Sequence, residues 1–126
     1  MYETRRRHGP PGWPEPVPPV GAEGWDGVAV AWLLDQAPPE YRSYPVVRRH
    51  PVLLAWLVAH HVRAQREAVR SAVSTARRDL AHQLEPQVGP QVMEMLEAEE
   101  LRLRRVDRAV GLLGEALSGR TFVPRL

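Results

Sequence analysis

Residues 51–90 read PVLLAWLVAHHVRAQREAVRSAVSTARRDLAHQLEPQVGP, and this stretch decides the fold. Pro51 suits the first turn of a helix, where a missing N–H leaves no bond unmade. From there to Leu84 no proline or glycine interrupts the chain. Ala55, Val58, Val62, Val69, Ala72, Ala76, Leu80 and Leu84 recur at spacings that place them on one helical face. The pattern predicts a helix over 51–84, roughly 50 Å long at about 1.5 Å per residue. Glu85-Pro86-Gln87-Val88-Gly89-Pro90 then breaks it, because two prolines and a glycine fall within one short segment.

Downstream, Pro90 can open a second helix as Pro51 opens the first. Met93, Leu96, Leu103, Val106, Val110, Leu113 and Leu117 form its stripe, which predicts a helix over 90–117 with Gly119 as its stop. A break this short makes the two helices antiparallel neighbours. Val62 is then expected to face Leu113, Val69 to face Val106, and Leu80 to face Met95. Ala64, Ala68, Ala72 and Ala76 form a row of small residues that permits close approach.

Upstream, residues 25–36 carry a short helical pattern, with Asp26 as a candidate N-cap and Val28, Trp32 and Leu33 on one face. Pro38 and Pro39 end it, and residues 40–50 read as a connector with one helical turn after Ser43. Residues 1–24 contain Pro10, Pro11, Pro14, Pro16, Pro18 and Pro19. They read as a disordered, polyproline-rich arm whose PEPVPP segment is of the kind that aromatic-grooved domains bind. Residues 119–126 read as a frayed tail. The expected architecture is all-α: a long antiparallel hairpin, a short preceding helix, and a helical domain over 25–118.

Two helices cannot hide both stripes from water. Apart from Phe122, every aromatic residue lies before residue 57. The aromatics therefore gather at the open end of the hairpin and leave the turn end uncovered. A second copy of the chain is the simplest cover, giving a homodimer with a four-helix core.

Composition narrows the function classes. The chain has 126 residues, no Cys, and a net charge of +2. Without Cys there is no disulfide, thiolate metal site or Cys nucleophile. There is also no Lys, Ile or Asn, so all 17 basic residues are Arg. GC-rich codon usage in a bacterial genome accounts for this, which removes the usual inference from Arg to phosphate recognition. Charge alternates along the chain. Residues 9–41 hold only acids, residues 42–84 are strongly basic, and residues 85–118 are net acidic. Such segments are expected to pair within the hairpin, with Arg77 and Arg78 against Glu97, Glu99 and Glu100. The apolar runs 27–34 and 51–59 are too short to span a bilayer. No apolar stretch follows Arg5, Arg6 and Arg7 as a secretory signal requires. A cytoplasmic chain without membrane contact is the expectation.

No motif points to catalysis, a metal or a cofactor. His60 and His61 project about 100° apart on a helix and cannot easily share an ion. Glu94, Glu97, Glu99 and Glu100 lack the Glu-x-x-His pattern of di-metal bundles. Ser71, Ser74 and Thr75 have no His one turn away, and Gly9, Gly12 and Gly21 sit in the Pro-rich arm rather than in a phosphate loop. Trp25-Asp26-Gly27 is similar to the W-x-G signature of small helical-hairpin secretion substrates. It precedes both helices instead of joining them, and no family is assigned from it.

The expected function is therefore a non-enzymatic adaptor or regulatory protein that docks a protein partner. The candidate surfaces are an aromatic end (Trp25, Trp32, Tyr41, Tyr44, Trp56) and the seam (Val62, Val69, Leu103, Val106, Val110). The alternative is nucleic-acid binding through Arg63, Arg66, Arg70, Arg77 and Arg78, aided by the basic arm at 5–7.

Overall fold

A computed structural model describes residues 9–119. The described chain is helical throughout its regular elements: α1 (Trp25–Gln36), a 3-10 helix (Pro39–Ser43), α2 (Pro45–Arg49), α3 (Pro51–Leu80) and α4 (Val88–Leu117). The two long helices pack on one another as an antiparallel hairpin.

Prolines punctuate the path into the hairpin. A residue before proline is pushed out of the α region. Ala37, Pro38, Tyr44 and His50 each precede a proline, and all four are non-helical, His50 at φ −127°, ψ 84°. The connector is thereby cut into the 3-10 helix and α2, which is more helix than the single turn expected after Ser43. At the far end α3 stops at Leu80, earlier than the expected 84. The chain unwinds ahead of Pro86 through tighter turns, with Gln83 N donating to Leu80 O at 3.0 Å and Val88 N to Glu85 O at 2.9 Å. α4 begins at Val88, so Pro90 falls inside its first turn, where helical N–H groups have no partner anyway. Gly119 ends the helix at φ 77°, the left-handed position that glycine occupies without strain.

The N-terminal cap of α1 differs from expectation. Gly24, at φ 74°, holds the N-cap position. Asp26 lies inside the helix and accepts a bond from the N–H of Gly27 at 3.0 Å. The buried face is Ala29 and Leu33, whereas Val28 points outward.

The larger correction concerns the Pro-rich segment. Residues 9–24 fold back onto the hairpin through a series of turns and place Val17 in the core, with Trp13 packed against it. Proline carbonyls accept successive turn bonds from Trp13 N (Pro10 O, 2.8 Å), Val17 N (Pro14 O, 3.1 Å) and Ala22 N (Pro19 O, 3.1 Å). Trp13 donates its indole N–H to Val17 O at 2.9 Å and packs on Trp25 with ring centroids 6.3 Å apart. Val17 is buried within the main apolar cluster. Arg108 of α4 clasps the segment by donating to Pro11 O at 3.1 Å, its side chain lying over Gly12, which has a left-handed φ of 94° and where an added Cβ would meet that side chain. Two apolar anchors and proline-limited chain entropy together make an ordered cap. Residues 1–8 and 120–126, which include the basic arm and the tail, lie outside the described residues.

The core sits at the open end. Val17, Ala29, Leu33, Val47, Leu54, Val58, Val62, Leu103, Val110 and Leu113 form one buried cluster. In α3 no residue beyond Val62 is fully buried, and in α4 only Leu96 is buried ahead of Leu103. Among the described residues, the distal half of the hairpin is a two-helix structure with no third layer.

Candidate docking surfaces

The structure divides the aromatic end into buried and exposed members. Trp25, Trp32 and Tyr41 are half-buried against the core cluster. They stabilise the cap and offer little free surface. The Tyr41 hydroxyl and His61 Nε2 lie 2.5 Å apart in a hydrogen bond that ties the 3-10 helix to α3. Tyr44 and Trp56 remain exposed, and Trp56 keeps 59% of its surface in solvent. The indole of Trp56 is braced edge-on by His60, ring centroids 4.4 Å apart. Val52, one turn earlier on the same helix face, is also exposed. His60 and His61 thus serve different neighbours on different faces, as their adjacency requires.

The seam is largely covered within the monomer. Val62, Leu103 and Val110 are buried within the monomer, and Val69 and Val106 pack against the same cluster. Periodicity marks the inward face of a helix without stating which neighbour covers it. At the proximal half that neighbour is the chain itself.

At the turn end the inward faces line an open groove of about 560 Å³. Ala76, Leu80, Leu84, Val92 and Met93 supply its apolar floor, Arg77 stands on the α3 rim, and Glu94 and Glu97 stand on the α4 rim. Leu80 shares this groove with Met93 rather than meeting Met95, which points to solvent. The uncovered stripe foreseen from the aromatic distribution is located here. Sequence reasoning did not identify the groove as such, although the residues that line it, from Ala76 to Glu97, span the break marked by Pro86 and Pro90.

The basic face is largely engaged. Arg66 bonds Asp107 of α4 at 2.7 Å, and the pair is mostly shielded from solvent. The Nε of Arg66 is buried without a partner. Arg70 lies 3.3 Å from Glu67 and 3.9 Å from Glu100, and Arg78 lies 3.2 Å from Asp79. The expected pairing of Arg77 and Arg78 with Glu97, Glu99 and Glu100 does not form. Glu99 is taken by Arg102 at 2.5 Å, and Glu100 also sits 3.5 Å from Arg104 on its own helix. Intrahelical partners one turn away compete effectively with those across the hairpin. Arg63 and Arg77 have no ion-pair partner among the described residues.

No protein-family model, curated protein or solved structure matches this chain. The geometry alone must carry the functional reading. Among the described residues no helix is long and apolar enough to cross a membrane. No group of three or more His, Asp or Glu gathers there as metal ligands would.

Proposed function

We propose that this chain is a non-enzymatic helical adaptor: it dimerises through the hairpin and docks a protein partner at the capped end. The observation that carries the reading is Trp56. An exposed Trp, braced by His60 and flanked by exposed Val52, has the form of an interface hot spot. Its bracing limits the rotamer freedom lost on binding. Nothing in the monomer's own packing requires a large apolar ring at that position, since the buried face of α3 there is Leu54, Ala55 and Val58. The nucleic-acid alternative draws less support, because Arg66, Arg70 and Arg78 already face carboxylates.

The test is capture of proteins from a lysate of the source cell on immobilised wild-type chain and on Trp56→Ala and Val52→Asp variants of unchanged helicity. A protein retained by the wild type and released by both variants supports the reading. Equal capture by all three would refute the Trp56 surface. Retention of nucleic acid alone, lost steeply with salt, would favour the Arg face.

A further inference from the structure

We infer that the distal groove is an isologous dimer interface, closed by the groove of a second copy whose two-fold axis runs along the hairpin. The inference rests on the dimeric reading above and specifies its face and geometry.

The two rims of the groove are opposite in charge. The α3 rim carries Arg77 and the α4 rim carries Glu94 and Glu97, while the third carboxylate of the lining, Glu85, lies in the turn and accepts a bond from the side chain of Gln87. None of Arg77, Glu94 and Glu97 has an ion-pair partner among the described residues. The rims lie across one groove and are therefore at the same height on the hairpin.

Two kinds of two-fold axis can set groove against groove. An axis perpendicular to the helices lays α3 on the partner's α3 and α4 on the partner's α4, which leaves the basic and acidic rims unmatched. An axis parallel to the helices lays each α3 on the partner's α4 at equal height. Each Arg77 then meets the Glu94 and Glu97 side of the other copy, twice per dimer, and every neighbouring helix pair runs antiparallel. Opposite rim charges favour the second arrangement and disfavour the first.

The apolar floor also favours a helical partner. Ala76 and Ala81 let a facing helix approach closely, and Leu80, Leu84 and Met93 supply the larger side chains for interdigitation. Contact is confined to the distal half, where no third element among the described residues covers the hairpin. The result is a four-helix tip from which the two capped ends project together, each with its own Trp56.

The experiment is a charge swap in trans, using full-length chains. Arg77→Glu and the double variant Glu94→Arg/Glu97→Arg are prepared separately and checked for wild-type helicity. Each alone opposes like charges at both contacts, so its dimerisation is expected to weaken by about 10- to 100-fold. An equimolar mixture restores opposite charges at both contacts. It is expected to return to a dimer of twice 14.2 kDa containing one chain of each kind, read by light scattering and native mass spectrometry.

A dimer that all variants retain equally would place dimerisation on another face and overturn this inference, leaving the dimeric reading intact. A wild-type chain that stays monomeric at high concentration would overturn both. Weakened single variants without rescue on mixing would show that Arg77 acts within its own chain, and would also overturn it. The Trp56 capture assay is independent of all three results.

Discussion

Replacing Trp13 with Ala probes the assignment that most changes the picture of this chain, the ordered Pro-rich cap. The substitution removes the indole bond to Val17 O, the contact with Trp25, and half-buried apolar area. An aromatic side chain can bury about 150–250 Å². Removing roughly 100 Å² from the packed cap loses about 2.5 kcal/mol at about 25 cal/mol per Å². The hydrogen bond adds about 1 kcal/mol and the ring pair about 0.5–1 kcal/mol. Regained side-chain entropy and partial collapse of the site offset part of this, which leaves an expected loss of about 2–4 kcal/mol. With a urea slope of about 1.5 kcal/mol/M, the unfolding midpoint followed by circular dichroism should fall by about 1.3–2.7 M. Protein concentration is held fixed, because any self-association would contribute to apparent stability. Val17→Ala, at a buried position, should cost about 1–2 kcal/mol by the same reasoning. A solvated arm would predict changes within about 0.5 kcal/mol for both variants. If both midpoints stayed within about 0.3 M of wild type, a shift of that size or less, the ordered cap would be refuted.

Four further outcomes follow from the packing. Leu113→Ala, at a fully buried site, should cost about 2–5 kcal/mol and lower the calorimetric melting temperature by at least about 8 °C. Tyr41→Phe should cost about 0.5–1.5 kcal/mol and add nothing further in a His61→Ala background, since the two share one hydrogen bond. Asp107→Ala leaves Arg66 shielded and unpaired, with a loss of about 1–3 kcal/mol in urea melts, part of which Arg66→Met should recover. Trp56→Ala should change stability by no more than about 0.5 kcal/mol, because the ring is mostly in solvent; a large loss would make Trp56 structural and remove it as a docking residue.

Much of the fold is legible along the chain. The long helices, the break between them and the stop at Gly119 follow from apolar periodicity and from proline and glycine chemistry. These are local properties of the backbone. Boundary errors, such as α3 ending at Leu80, arise where Pro86 perturbs the turn ahead of it. The exposed distal stripe was also legible, because every aromatic residue but Phe122 lies before residue 57, at the open end of the hairpin.

The candidate surfaces were less legible. Trp25 and Trp56 look alike in sequence, yet one packs on Trp13 and the other stands in water. Val62 and Leu80 share a stripe, yet one is buried and the other lines an open groove. Residues 10–19 are rich enough in proline to suggest a solvated arm, and only the placement of Trp13 and Val17 against the core makes them a cap.

The sequence by itself determined that the chain is all-helical and hairpin-like, because hydrogen-bonding and steric constraints on the backbone act over a few residues. Tertiary structure alone decided which apolar residues face solvent, which arginines are engaged, and that the Pro-rich segment is part of the core. Burial and ion pairing depend on which distant segments meet, and here a proline-turned segment folds back onto the open end of the hairpin and leaves its tip bare.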